Sequence, residues 1–318
     1  MNLDHAVLSA LLPVVLLIFV GYVAGRAQLV RGESVRDLSN LVFLVLTQAL
    51  LFRTMANSQV TQLDFRPVMQ YFLVASVLFF AMLLVYGGNS RASVMALAGI
   101  FSNTLMIGVP LVGLAYGQAG QVLLFTLISL HALILLSIAT LVLELQVARE
   151  QAAESGDAKP IWRTVGSAIR NAIIHPVPLP ILVGIAYSFT DWGLHPVIDK
   201  PLVLLGNAFG PIALVLVGIT LSQTPVGQQW KHALRLSLVK TVVHPALMAA
   251  VGWLLGLRGL QLGVMVLAAA LPIGANVFLF SQRYRKEEEM VTAAVAVSTA
   301  VALLTISAVL ALLPSLAS

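Results

Sequence analysis

Apolar residues run along this chain in long blocks separated by short polar gaps. Within most blocks the apolar positions go all the way round a helix instead of marking one face, the pattern of a helix buried on every side or lying in a bilayer. Blocks of about 20 residues match the hydrocarbon thickness of a membrane. They predict helices at about 6–25, 38–56, 67–87, 92–116 and 121–145, then 172–190, 197–222, 233–256, 260–281 and 290–314. The one clearly polar stretch between them, QVAREQAAESGDAKPIWRTVGSAIRN, carries charges, Gly156 and Pro160 and reads as a linker. The expected architecture is therefore an all-α polytopic membrane protein of ten transmembrane helices. It divides into a five-helix repeat over 1–146, a linker over 147–171 and a second five-helix repeat over 172–318.

An odd number of helices per half means that a second half resembling the first is inserted upside down, which is inverted-repeat topology. Leu12-Pro13 with Gly21-Tyr22 in the first helix pairs with Leu179-Pro180, Gly184 and Tyr187 in the sixth. Ser39-Asn40 in the second pairs with Gly206-Asn207 in the seventh.

Composition agrees with the membrane reading: 59% of the 318 residues are hydrophobic and 10% charged, with a mean hydropathy of +0.96. A soluble domain needs a more polar surface than that. The formal charge of +5 reflects topology, since cytoplasmic loops collect Lys and Arg. Thirteen basic residues fall in loops on one side, four on the other, and Lys240 lies inside a helix. Both termini are expected outside the cytoplasm and the linker inside it, and no nucleic-acid partner is inferred. The N-terminal stretch, with Asp4 and His5 and no basic leader, reads as a retained first helix. With no cysteine, thiol catalysis and thiolate metal sites are excluded, and no cofactor is expected.

Two helices are badly made for plain spans. In the fourth, Asn103, Gly108, Pro110 and Gly113 fall near the middle; in the ninth, Pro272, Gly274 and Asn276 do. Proline cannot donate its backbone hydrogen bond and crowds the preceding turn, so each helix should unwind and free polar groups at membrane depth. Two interrupted spans at corresponding places in two halves point to the binding site of a secondary transporter.

Asn103-Thr104 with Gly108 and Pro110 forms the pattern N-x-x-x-x-G-x-P. With Leu271-Pro272-Ile273-Gly274-Ala275-Asn276, Arg283-Tyr284, and Lys240 ahead of His244-Pro245, the whole chain resembles the auxin efflux carrier family in its prokaryotic form. The bile-acid sodium symporters share this layout. Gln48 departs from the pattern, standing before Ala49-Leu50-Leu51-Phe52 where family members often have proline. A straighter second helix is expected, with Gln48 adding a polar group to the path. The resemblance implies a homodimeric carrier in the inner (plasma) membrane. Helices one, two, six and seven would form its scaffold, and three to five with eight to ten would form a transport domain in which the broken helices cross. Its substrates would be small organic anions such as malate, malonate or an auxin-like acid. A half-helix N-terminus suits a carboxylate, and Asn103 and Asn276 add neutral amide donors.

The expected substrate site is thus Asn103, Thr104, Gly108, Pro110, Pro272, Gly274, Asn276 and Lys240, with His131, His244 and Gln48 as proton or path residues. Lys240 and His244 share one helix face at a spacing of four. Lys240 either meets the anion or snorkels to the cytoplasmic interface. His131 either carries a proton or packs. Glu287-Glu288-Glu289 opens the tenth helix, where acids suit the dipole. The alternatives are a sodium-coupled organic-anion symporter, weakened by the scarcity of acids in the predicted helices, and a channel, for which no filter-like sequence is present. An enzyme is not expected, because no H-E-x-x-H, G-x-S-x-G or paired aspartates appear. The anion's identity, the direction of flux, the coupling ion and regulation do not follow from the sequence.

Overall fold

The computed structural model describes residues 3–57, 64–155, 178–190, 192–224 and 227–317. Residues 156–177, which hold most of the expected linker and the expected start of the sixth helix, lie outside the described residues. The described chain is helical throughout, with one isolated backbone bridge. Its elements are α1 (Leu3–Arg26), α2 (Gly32–Leu41), α3 (Thr47–Ala56), α4 (Arg66–Val85), α5 (Ser90–Ile100), α6 (Val109–Ser155) and α7 (Pro178–Ser188). Then follow α8 (Pro196–Gln223), α9 (Trp230–Leu238), α10 (His244–Leu254), α11 (Gly259–Ala270), α12 (Asn276–Tyr284) and α13 (Glu288–Ala317). Three single π turns, Val42–Leu46, Thr104–Gly108 and Val239–Val243, join α2 to α3, lead into α6, and join α9 to α10.

Six of the described helical runs are long and apolar enough to cross a membrane, and four shorter apolar helices accompany them. Large apolar side chains stand exposed along several helices, among them Leu16, Phe19, Leu73, Val77, Leu204 and Leu304. So much exposed apolar surface is foreign to a soluble monomer and suits a lipid boundary. The interior is dense, with Tyr71, Phe79, Phe125 and Phe209 fully enclosed.

Small residues set the closest helix contact. A Cβ built on Gly21 would lie 1.9 Å from the Val215 carbonyl oxygen, and one on Gly218 would lie 1.9 Å from that of Ile18. Backbones of α1 and α8 therefore touch directly, as small-residue seams allow in membranes. Proline alone does not break these helices: α1 runs on through Pro13 and α8 through Pro201 and Pro211.

The run called α6 is two helices hinged at Gly117, whose backbone (φ 62, ψ −155) lies in a region almost confined to glycine. That hinge falls between the predicted fourth and fifth helices. Beyond it the helix continues to Ser155, so residues 147–155 of the expected linker are helical. Near its end Glu150 accepts from the backbone N–H and the hydroxyl of Ser90, at 2.7 and 2.8 Å, closing the start of α5. Burial pushes the Glu150 carboxyl up, but the two Ser90 bonds and the nearby Lys286 outweigh it and leave it below its ordinary range. Glu287 pairs with Arg91 instead of serving only the dipole of α13.

Candidate functional site

The two interruptions meet. α5 ends at Ile100, and Phe101 turns the backbone to an extended conformation (ψ 108). α11 ends at Ala270, with Leu271 extended (ψ 151), because Pro272 has no N–H with which to continue the helix. The two short extended segments run antiparallel past each other, with Ser102 opposite Ile273. Asn103 N–H donates to the Pro272 carbonyl at 2.8 Å, and Gly274 N–H donates to the Phe101 carbonyl at 2.9 Å. Each break thus satisfies backbone groups that the other has freed, as groups at membrane depth require.

Side chains from three further helices pin the crossing. Tyr71 of α4 bonds Ser102 through their hydroxyls at 3.0 Å. Ser298 of α13 accepts from Ile273 N–H at 3.1 Å. Lys240, in the π turn before α10, donates to the carbonyls of Ala269 and Leu271 at 2.5 and 2.7 Å. Glycine is required where the strands pass: a Cβ on Gly274 would lie 2.9 Å from the Phe101 ring and 3.0 Å from the Ser102 carbonyl oxygen.

Beside the crossing opens a cleft walled by Phe43, Phe101, Ser102, Asn103, Thr104, Leu105, Met106, Ile128, His131, Ala132, Gly274, Ala275 and Asn276. None of these side chains carries a fixed charge. The N-terminal ends of two half-helices reach it: the π turn entering α6, capped by Asn103, and α12, beginning at Asn276. Both ends present the positive pole of a helix dipole. Asn103 Oδ1 accepts from Met106 N–H at 3.3 Å, which leaves the NH2 end of the same amide as its donor. His131 is 2% exposed, lies 4.5 Å from the Phe101 ring between centroids, and its Nε2 has no hydrogen-bond partner among the described residues.

Of the residues predicted from sequence, Asn103, Thr104, Gly274, Asn276 and His131 line the cleft. Gly108, Pro110 and Pro272 shape it from behind. Pro110 follows the π turn, Pro272 lends its carbonyl to Asn103, and a Cβ on Gly108 would lie 2.7 Å from Leu271 Cδ1. Three others stand apart from the lining. Lys240 does not snorkel: it is fully buried, with its amine on the end of α11. His244 is enclosed with its ring 5.4 Å from Tyr71, and neither ring nitrogen has a hydrogen-bond partner among the described residues. Gln48 donates to the Phe43 carbonyl at 2.9 Å, directly after the π turn Val42–Leu46 in the same helical run. Sequence reasoning missed Ser102, Tyr71, Ser298 and the aromatic walls Phe43 and Phe101. Ser102 stands directly before Asn103; for the others no local signal exists.

Comparison with known proteins gives a match over residues 6–310 to a family model described as membrane transport protein. The chain is 26% identical over 314 residues to a Rhizobium meliloti protein named "Putative malonate transporter", covering 96% of this chain and 95% of that one. It is 25% identical over 350 residues to auxin efflux carrier component 8 of Arabidopsis thaliana, covering 94% and 95%. A mouse lysosomal cholesterol signaling protein is 25% identical over 305 residues, covering 89% of this chain and 35% of its own length.

Proposed function

We propose, since the chain belongs to the membrane transport protein family of the auxin efflux carriers, that it is a carrier for a small organic anion bearing a carboxylate. The anion binds in the cleft beside the crossing and passes by alternating access. The observation that supports this most is the cleft itself: two half-helix N-termini and the amides of Asn103 and Asn276, with no fixed charge. Such donors stabilise a carboxylate by dipole and hydrogen bond. They also avoid an ion pair that would hold it too tightly for release.

In this reading the chain spans the membrane ten times as two inverted repeats, with its termini outside and the linker in the cytoplasm. Helices α1, α2 with α3, α7 and α8 form a dimeric scaffold. The remaining helices carry the crossing and slide against that scaffold as an elevator. Phe43, on the scaffold's π turn, faces the crossing across the cleft.

The test is uptake of labelled malonate into proteoliposomes, with malate and indole-3-acetate as competitors, with and without a pH gradient. Saturable uptake that competitors reduce, and that is accelerated by unlabelled anion inside, is expected of a carrier. Uptake linear in concentration would mean a channel. No uptake of any carboxylate by folded protein would remove the anion assignment.

A further inference from the structure

The end of α11 poses a problem that the substrate site does not explain. The last carbonyls of any helix lack intrahelical partners. Here Leu271 leaves the helix and Pro272 supplies no N–H, so these oxygens are orphaned at the centre of the protein. In secondary carriers, half-helix C-termini and unwound carbonyls of this kind are where a coupling sodium ion sits. In this protein the position is taken by Lys240. Its side chain is fully enclosed, its amine donates to two of the carbonyls at 2.5 and 2.7 Å, and no ion pair to it occurs among the described residues. The negative pole of α11 suits a cation there.

We infer that Lys240 is a tethered cation standing where a coupling sodium ion would bind, so that the crossing is held in shape without sodium. This rests on the carrier reading for its transport arm only. Lys240 is then a positioning residue: it fixes the Leu271 to Asn276 segment, and with it the cleft wall, without touching the anion. The π turn Val239–Val243, set by Pro245, belongs to the same device because it carries the lysine at this level.

Removing the side chain should therefore create a sodium site. Melting of the purified protein is followed in sodium chloride and in choline chloride at equal ionic strength, for the wild type, Lys240→Ala and Lys240→Met. The wild type is expected to melt at the same temperature in both salts. Lys240→Ala leaves the Ala269 and Leu271 carbonyls facing the vacated space, so it should melt lower in choline and recover by several degrees in sodium, as a ligand that binds only the folded state requires. Lys240→Met fills that space with an apolar chain and should show no recovery.

A wild type stabilised by sodium over choline would overturn the inference, as would Lys240→Ala with no preference for sodium or Lys240→Met with an equal one. If Lys240→Ala folds only when prepared in sodium, the inference stands; if it folds in neither salt, it falls. In uptake assays the wild type should ignore replacement of sodium, and Lys240→Ala should depend on it. Melting that responds to sodium with no uptake of any anion would sink the carrier reading alone. Normal wild-type uptake with a variant indifferent to sodium would sink this inference alone.

Discussion

The Asn103 amide oxygen caps the π turn, and in the proposed carrier its NH2 has a second job as a donor to the anion. Two substitutions separate them. Asn103→Asp keeps an oxygen that can cap Met106 N–H but replaces the donor with a negative charge. It should fold as the wild type does and lose anion uptake almost completely. Asn103→Ala loses both jobs, and the missing donor should weaken anion binding by about ten- to a hundredfold. Full activity in Asn103→Asp, measured as malonate uptake, would reduce Asn103 to a cap. The glycines make a second contrast. Gly274→Ala drives its methyl group against the Ser102 backbone and the Phe101 ring, and should cost about 1–3 kcal/mol of stability. Gly108→Ala comes too close only to Leu271 Cδ1, a side-chain end that can rotate away, so its melting temperature in detergent should fall less. Equal losses would mean that the crossing yields as easily as a side chain does. These residues were legible in the sequence because Asn, Gly and Pro are out of place in an apolar span. Tyr71 and Ser298 were not, since a hydroxyl in a membrane helix looks the same whether or not it bonds a distant break.

At the scale of the element, two π turns are followed at the second residue by proline: Pro110 after Gly108 and Pro245 after Val243. The missing proline N–H and the crowding of its ring widen the turn before it. The third π turn ends at Leu46, and the residue at the same offset is Gln48. Here side chains take over: Gln48 Nε2 bonds the Phe43 carbonyl at 2.9 Å and Thr47 Oγ1 bonds that of Val42 at 2.7 Å. Side-chain donors here hold open the kind of turn that proline accompanies elsewhere in the chain, and sequence composition alone does not distinguish such a glutamine from a path residue. Gln48→Pro should therefore be accommodated, at about 1 kcal/mol for the lost side-chain bond. Val74→Pro, in the middle of α4, should cost about 3 kcal/mol or more. Thermal melting of the two variants decides the point, and similar losses would mean that the π turn is not built for proline. Lys240 was legible as an anomaly but not in its role, because the carbonyls that it satisfies lie some thirty positions further along the chain.

For the whole molecule, all-helical membrane character followed from hydropathy, and the place of the crossing was marked by two apolar spans interrupted by Asn, Gly and Pro. Motion between scaffold and crossing leaves no trace in composition, but the absence of cysteine makes it accessible, since any introduced pair is the only pair that can oxidise. A Cβ on Gly210 would lie 3.5 Å from Pro110 Cβ, and one on Gly206 would lie 3.7 Å from Leu50 Cβ. Both distances permit a disulfide. The first pair joins α8 to the helix behind the cleft, across the proposed sliding surface. The second joins α8 to α3, within the proposed scaffold. Oxidising the double variant P110C/G210C should remove most of the uptake that the same protein shows when reduced, and a reductant should restore it. L50C/G206C should transport equally well in both states. If the first pair forms its bond quantitatively and uptake continues, α8 and the crossing do not move past each other, and access to the cleft must alternate by local gating instead. If the second pair also arrests transport, the boundary between fixed and moving parts has been drawn in the wrong place, and α3 belongs with the part that moves.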